Sequence, residues 1–300
     1  MILAFILYVL FALIFIFGKI SLGYGSPIFA VGVRMLIAGF ILMGYLLWKN
    51  PKALRIRKKD ILPIVLVTIF NVYLTNVLEF WGLQYLVSAK ASFLYNLSPF
   101  LTALLSYFVF YEKMTKRKII GLVGGFIGFL PILMSESQGE LASGHIGFFS
   151  WPELALLGAA TATTVGWIAL RTMVTHGFSP IAANAWSMLI TGFLCIPTSL
   201  VFETWNPFPV VAWKPFLGWT LIIAMISNLI CYNLYGYLLK RYSATLMAFL
   251  GFFSPFIAAI VGWLVLGETV TWNFVTSAVI VFVSFYLFYK EELRQGYIKI

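Results

Sequence analysis

Residues 93–112 read FLYNLSPFLTALLSYFVFYE, and residues 249–268 read FLGFFSPFIAAIVGWLVLGE. Phe93 and Phe249, Ser98 and Ser254, Pro99 and Pro255, and Glu112 and Glu268 all stand 156 positions apart without a gap. Upstream, Asn71 and Asn76 match Asn228 and Asn233 after one inserted residue. A repeat of this length makes the chain two related units, and each residue is read with its mate in mind. The expected division is a first repeat over 1–135, a linker over 136–150, a second repeat over 151–290 and a tail over 291–300.

The repeat is embedded in a very apolar chain. Of 300 residues, 62% are hydrophobic and only 10% charged, against about 25% charged in a soluble domain. Ten apolar stretches of bilayer-crossing length follow one another: Ile2–Ile20, Pro27–Trp48, Ile61–Gly82, Val87–Tyr111, Lys118–Met134, Trp151–Met173, Pro180–Phe202, Pro215–Leu239, Ser243–Leu266 and Trp272–Tyr289. Continuous runs favour helices over barrel strands, because a helix satisfies its own backbone in lipid. The expected fold is therefore an all-α multi-pass membrane protein with five spans in each repeat.

Basic residues orient it. With the N-terminus in the cytoplasm, sixteen of the twenty Lys and Arg residues fall in cytoplasmic connections or the tail, and only Lys214 in an outward one. Both termini are expected inside. Five is odd, so the second repeat enters the membrane in the opposite sense to the first. Inverted repeats of this kind are a design of secondary transporters, with the substrate held near the midplane between halves that rock.

These residues also carry a resemblance. Ser88-Ala89-Lys90-Ala91-Ser92 through Ser98-Pro99-Phe100 to Tyr111-Glu112, and Ser243-Ala244-Thr245 through Ser254-Pro255-Phe256 to Gly267-Glu268, resemble the two tandem repeats of EamA-type carriers in the drug/metabolite transporter superfamily. Tyr111 departs from the usual glycine. The resemblance implies a carrier in the inner (cytoplasmic) membrane, driven by a proton or by exchange with a counter-substrate. Its cargo would be a small organic metabolite, with amino acids and their derivatives the leading expectation. S-adenosylmethionine, imported by some EamA-like carriers of intracellular bacteria, is a second option, and a nucleotide-linked metabolite a third.

Candidate site residues come from polar groups placed where lipid would penalise them. Thr68, Asn71, Thr75 and Glu79 are spaced 3, 4 and 4 apart and share one helical face. Glu79 would hold an ammonium group or a coupling proton, unless it simply reaches water at the helix end. Arg34, seven residues into its span, would grip a carboxylate or phosphate through its planar fork, or else pair with Glu79. Asn96 lies on the small, polar face of the fourth span. Asn228 and Tyr232 in the eighth, with Trp167 in the sixth, offer amide and ring contacts suited to a ring or an onium cation. Pro99 and Pro255 are expected mid-span, each leaving a carbonyl without its helical donor and forming a hinge. Lys19 and Lys90 are expected to snorkel to the outer surface.

Other classes find little support. Cys195 and Cys231 fall in apolar runs, the only histidines, His145 and His176, lie in connections, and no phosphate-cradling loop is present. No enzyme, metal, cofactor or nucleic-acid partner is expected, and monomer or homodimer is left open by Gly121, Gly124, Gly125 and Gly128, whose spacing suits either internal packing or a dimer face. A scaffold or sensor that keeps the fold without moving solute is the rival from another class.

Overall fold

The computed structural model describes residues 2–98, 100, 101, 104, 105, 107, 115–135, 137–238 and 250–294. The principal helices are α1 (Ile2–Leu22), α2 (Pro27–Lys49), α3 (Lys58–Leu83), α4 (Ser88–Tyr95 and onward), α5 (Lys116–Gly128), α6 (Trp151–Thr175), α7 (Pro180–Phe202), α8 (Trp213–Leu238), α9 (Ser254–Leu266) and α10 (Trp272–Arg294). Seven of them, α1, α2, α3, α6, α7, α8 and α10, are long and apolar enough to cross a membrane. Large apolar side chains such as Phe40, Phe193, Trp263 and Leu264 cover the outside of the bundle, an arrangement that suits lipid and not water.

Helix starts and stops follow from local chemistry. Pro27 opens α2 and Pro180 opens α7, where a missing N–H costs nothing. Ser150 and Glu153 cap α6 reciprocally, with Ser150 N donating to Glu153 Oε2 at 2.8 Å. Gly267 ends α9 in the left-handed conformation, φ 67°. That turn sends Glu268 back across the bundle, where it accepts from Ser88 N at 2.9 Å and Ser88 Oγ at 3.0 Å, capping α4 of the other repeat.

Packing repeats as the sequence does. α2 lies on α7, α5 on α10 and α4 on α9, while α3 packs on α6 as α8 packs on α1. Gly32 faces Cys195, and Gly39 faces Leu189, so positions rise along α2 as they fall along α7. Gly121 likewise meets Phe288 and Gly128 meets Val281. Equivalent helices of the two repeats thus run antiparallel. The small-residue face of α5 is consumed by α10 and, at Gly125, by Phe100; it serves internal packing.

The segment joining the repeats is more structured than a bare linker. It holds a short helix, Gln138–Ser143, and a hairpin pairing His145–Ile146 with Phe149–Ser150. Glu140 from this helix and Glu153 from α6 both pair with Lys90, at 2.7 and 2.6 Å, and Lys90 also donates to Ser135 O at 2.8 Å. Lys90 is 2% exposed, which corrects the expectation that it snorkels. It donates two hydrogen bonds and lies against a second buried carboxylate, so its charge is met inside the protein without water. Lys19 is also held, by Leu86 O and by Glu268 at 3.3 Å.

At the second of the expected prolines the helix is broken. Pro255 sits in the first turn of α9, and the helix is interrupted just before it, at Phe252 and Phe253. A matching interruption falls at Asn96 and Leu97 in α4, at the same repeat offset. Pro99 lies outside the described residues.

Candidate functional site

Two stretches depart from α geometry, and they are repeat mates. Val67–Leu74 in α3 and Ala224–Cys231 in α8 are π-helical. A π turn carries an extra residue, widens the helix and re-aims every side chain after it. The regular face expected for Thr68, Asn71, Thr75 and Glu79 is therefore split. Thr75 turns towards α6, donating to Phe70 O at 2.7 Å and contacting Ala159 O at 3.4 Å. Asn71 also meets α6: its Oδ1 accepts from Thr163 Oγ1 at 3.2 Å, and its backbone fits against Gly166. Asn76, one residue past the split, takes the inward place.

Asn76 is the connector of the site. Its Oδ1 accepts from Arg34 Nη2, and its Nδ2 donates to Val72 O at 2.6 Å and to Tyr232 Oη at 3.1 Å. Tyr232 in turn approaches Asn71 O at 3.5 Å. Asn233, the repeat mate of Asn76, makes the same back-bond to Leu229 O at 2.9 Å and accepts from Asn184 at 2.9 Å. So α2 meets α3 through Arg34–Asn76 where α7 meets α8 through Asn184–Asn233. One scaffold presents a charge in the first repeat and an amide in the second.

Arg34 is 1% exposed. Its guanidinium lies 4.1 Å over the Phe80 ring, and one nitrogen is engaged by Asn76. Nε and Nη1 have no hydrogen-bond partner among the described residues. Their N–H groups remain free to donate to the oxygens of a carboxylate or phosphate. Glu79 lies near enough for the two charges to act on one another, yet they make no direct ion pair. Its carboxylate also bears electrostatically on Tyr95 and Tyr232, and it has no hydrogen-bond donor among the described residues.

Other buried polar atoms nearby are unpartnered among the described residues: Asn71 Nδ2, Asn228 Oδ1, Asn184 Oδ1 and Thr68 Oγ1. Native interiors pair nearly all such atoms, so their concentration between the repeats marks a place built for something else to bind. Asn228 uses its amide nitrogen on Met35 Sδ at 3.2 Å. Rings wall the cluster. Trp167 packs on Tyr235 at 4.2 Å and on Tyr232 at 5.7 Å, and Tyr235 continues to Phe11 at 6.4 Å. Tyr95, from α4, donates to Thr163 Oγ1 at 3.1 Å.

The expected residues therefore separate into three groups. Arg34, Glu79 and Tyr232 come together with Trp167 beside them, and Asn71 and Asn228 flank them from the two π segments. Thr75 serves the α3–α6 contact. Asn96 sits at the interruption in α4, bonded to Ser92 O at 2.7 Å and next to the place where a side chain on Gly251 would point, with Tyr8. Asn76, Tyr95, Thr163 and Tyr235 complete the cluster. Of these, Asn76 had a readable signal, its pairing with Asn233 in the repeat; Thr163 and Tyr95 had none.

The comparisons with known proteins accord with this geometry. A crystal structure sharing 17% identity superposes with TM-score 0.69, covering 98% of this chain and 96% of the other, which fixes the fold alone. The chain is 38% identical over 286 residues to an S-adenosylmethionine/S-adenosylhomocysteine transporter of Chlamydia muridarum, covering 95% of this chain and 89% of the relative. A Chlamydia trachomatis transporter of the same description is 38% identical over 290 residues, covering 95% and 87%. An uncharacterized transporter of Bacillus subtilis, YoaV, is 25% identical over 264 residues, covering 88% and 87%. The model of the EamA-like transporter family matches residues 1–134 and again 150–290. The chain is a multi-pass membrane transporter and belongs to the EamA-like transporter family.

Proposed function

We propose that this protein carries S-adenosylmethionine and S-adenosylhomocysteine by alternating access, in a ten-span bundle of two inverted five-helix repeats with both termini in the cytoplasm. The inner membrane is the proposed location. The relatives favour this cargo over the free amino acids that headed the sequence-based expectation, and the site is consistent with that preference. The observation that carries the reading is Arg34, with N–H groups still free to donate, beside an unpaired Glu79 within a wall of Tyr95, Tyr232, Tyr235 and Trp167. An amino-acid head needs opposed charges, and an adenine ring needs a flat apolar partner; a free amino acid needs only the first.

In this reading Arg34 takes the carboxylate through its free N–H groups. Asn76 holds the arginine from behind, and Phe80 lies against it. The amide oxygen of Asn228 receives an ammonium hydrogen, and the rings accept the base. The interruptions at Asn96–Leu97 and Phe252–Phe253, with Pro255 beginning the helix beyond, are the proposed hinges that let each repeat move about the site.

A ligand that binds only the folded protein raises its melting temperature, by about 2.7 kcal/mol of stabilisation at a hundredfold excess over Kd. Purified protein should be stabilised by S-adenosylmethionine and by S-adenosylhomocysteine, and not by methionine or adenosine alone at equal concentration. Stabilisation by amino acids alone, with no response to either nucleoside compound, would overturn the proposal.

A further inference from the structure

We infer that Glu79 is the residue that distinguishes the sulfonium form of the cargo from its neutral thioether. The inference rests on the carrier reading above and assigns a part of it that neither the family nor the relatives specify.

The two compounds share a carboxylate, an ammonium group and an adenosine; they differ by one methyl group and the positive charge it places on sulfur. An ammonium group has hydrogens to donate, and unpartnered neutral acceptors such as Asn228 Oδ1, on the residue that contacts Met35, can take them. A sulfonium has no N–H or O–H to give, so a formal negative charge stabilises it far more than a neutral acceptor does, with the face of a ring as the other good partner. Glu79 is the one carboxylate of the cluster among the described residues. The other described acids are engaged at helix ends or in ion pairs: Asp60 with Arg57, Glu140 and Glu153 with Lys90, Glu203 on the start of α2, Glu268 on the start of α4, and Glu291 beside Arg117. Among the acids whose side chains are described, Glu79 alone has no donor. It is 8% exposed, and the charges and rings that face it are Arg34, Tyr95 and Tyr232. A buried carboxylate without a partner is costly, and a cationic ligand removes that cost where a neutral one does not.

The test is competition binding of both compounds to wild-type protein and to Glu79→Gln and Glu79→Asp, with unlabelled S-adenosylmethionine and S-adenosylhomocysteine each displacing a radiolabelled S-adenosylmethionine or S-adenosylhomocysteine probe. In Glu79→Gln the ratio of affinities, sulfonium over thioether, should fall at least tenfold, with thioether binding still measurable; Glu79→Asp should restore much of the ratio. An equal loss for both compounds would overturn the inference by assigning Glu79 to the shared ammonium group, as would an unchanged ratio. A glutamine variant that binds neither compound would overturn it as well, because the thioether should not depend on the carboxylate. Wild-type protein that binds neither compound would remove the carrier reading itself, and this inference with it.

Discussion

Replacing Lys90 with methionine would remove the one cation that two buried carboxylates share. Glu140 is 0% and Glu153 1% exposed, and both reach the same nitrogen, at 2.7 and 2.6 Å. Their oxygens then lie at most about 5 Å from each other, a repulsion of at least roughly 3 kcal/mol at an effective dielectric of about 20. Truncating one member of a buried pair ordinarily costs about 3–5 kcal/mol, because the orphaned charge has lost its water as well as its partner. Lys90→Met is expected at or above the upper end of that range, since two charges are orphaned. Equilibrium unfolding in mild detergent, followed by tryptophan fluorescence, reads the loss. Lys90→Met combined with Glu140→Gln and Glu153→Gln should recover most of it, because glutamine keeps both capping contacts and removes both charges. If Lys90→Met alone stays within about 1 kcal/mol of wild type, the three groups do not brace the junction of the repeats.

Two further substitutions test the packing. Gly166→Val would place its side chain on the backbone and Cβ of Asn71; overpacking typically costs about 1–3 kcal/mol, and binding of either nucleoside compound should weaken with it. Glu268→Ala leaves the start of α4 without its acceptor and Lys19 without its counter-ion. Loss of a cap costs about 0.5–2 kcal/mol, and a cysteine introduced at Ser88 should react faster with a water-soluble thiol reagent in that background than in the parent.

Much of this architecture is visible in the residues alone. The 156-position repeat, the odd number of spans and the apolar composition dictate two antiparallel units, and α2 against α7 realises them. Arg34 and Glu79 stand out because a charge inside an apolar run has few places to go. What periodicity misses is the π turn: a 3.6-residue period carried through Val67–Leu74 groups Thr75 with Glu79, whereas the extra residue turns Thr75 to α6 and brings Asn76 to Arg34. Lys90 was misread for a related reason. Its position near a helix end is local, but its partners Glu140 and Glu153 are 50 and more residues away. Glu140 and Glu153 each close a local capping box, and only the tertiary fold brings both to one lysine.

Counterflow in proteoliposomes tests the central claim most directly. Vesicles loaded with unlabelled S-adenosylhomocysteine should accumulate external radiolabelled S-adenosylmethionine above its equilibrium level, and Arg34→Ala, which takes away the buried charge and its free N–H donors, should abolish that accumulation while the protein remains folded. Accumulation that ignores the internal nucleoside, follows internal free amino acids instead, or survives Arg34→Ala unchanged would contradict the account.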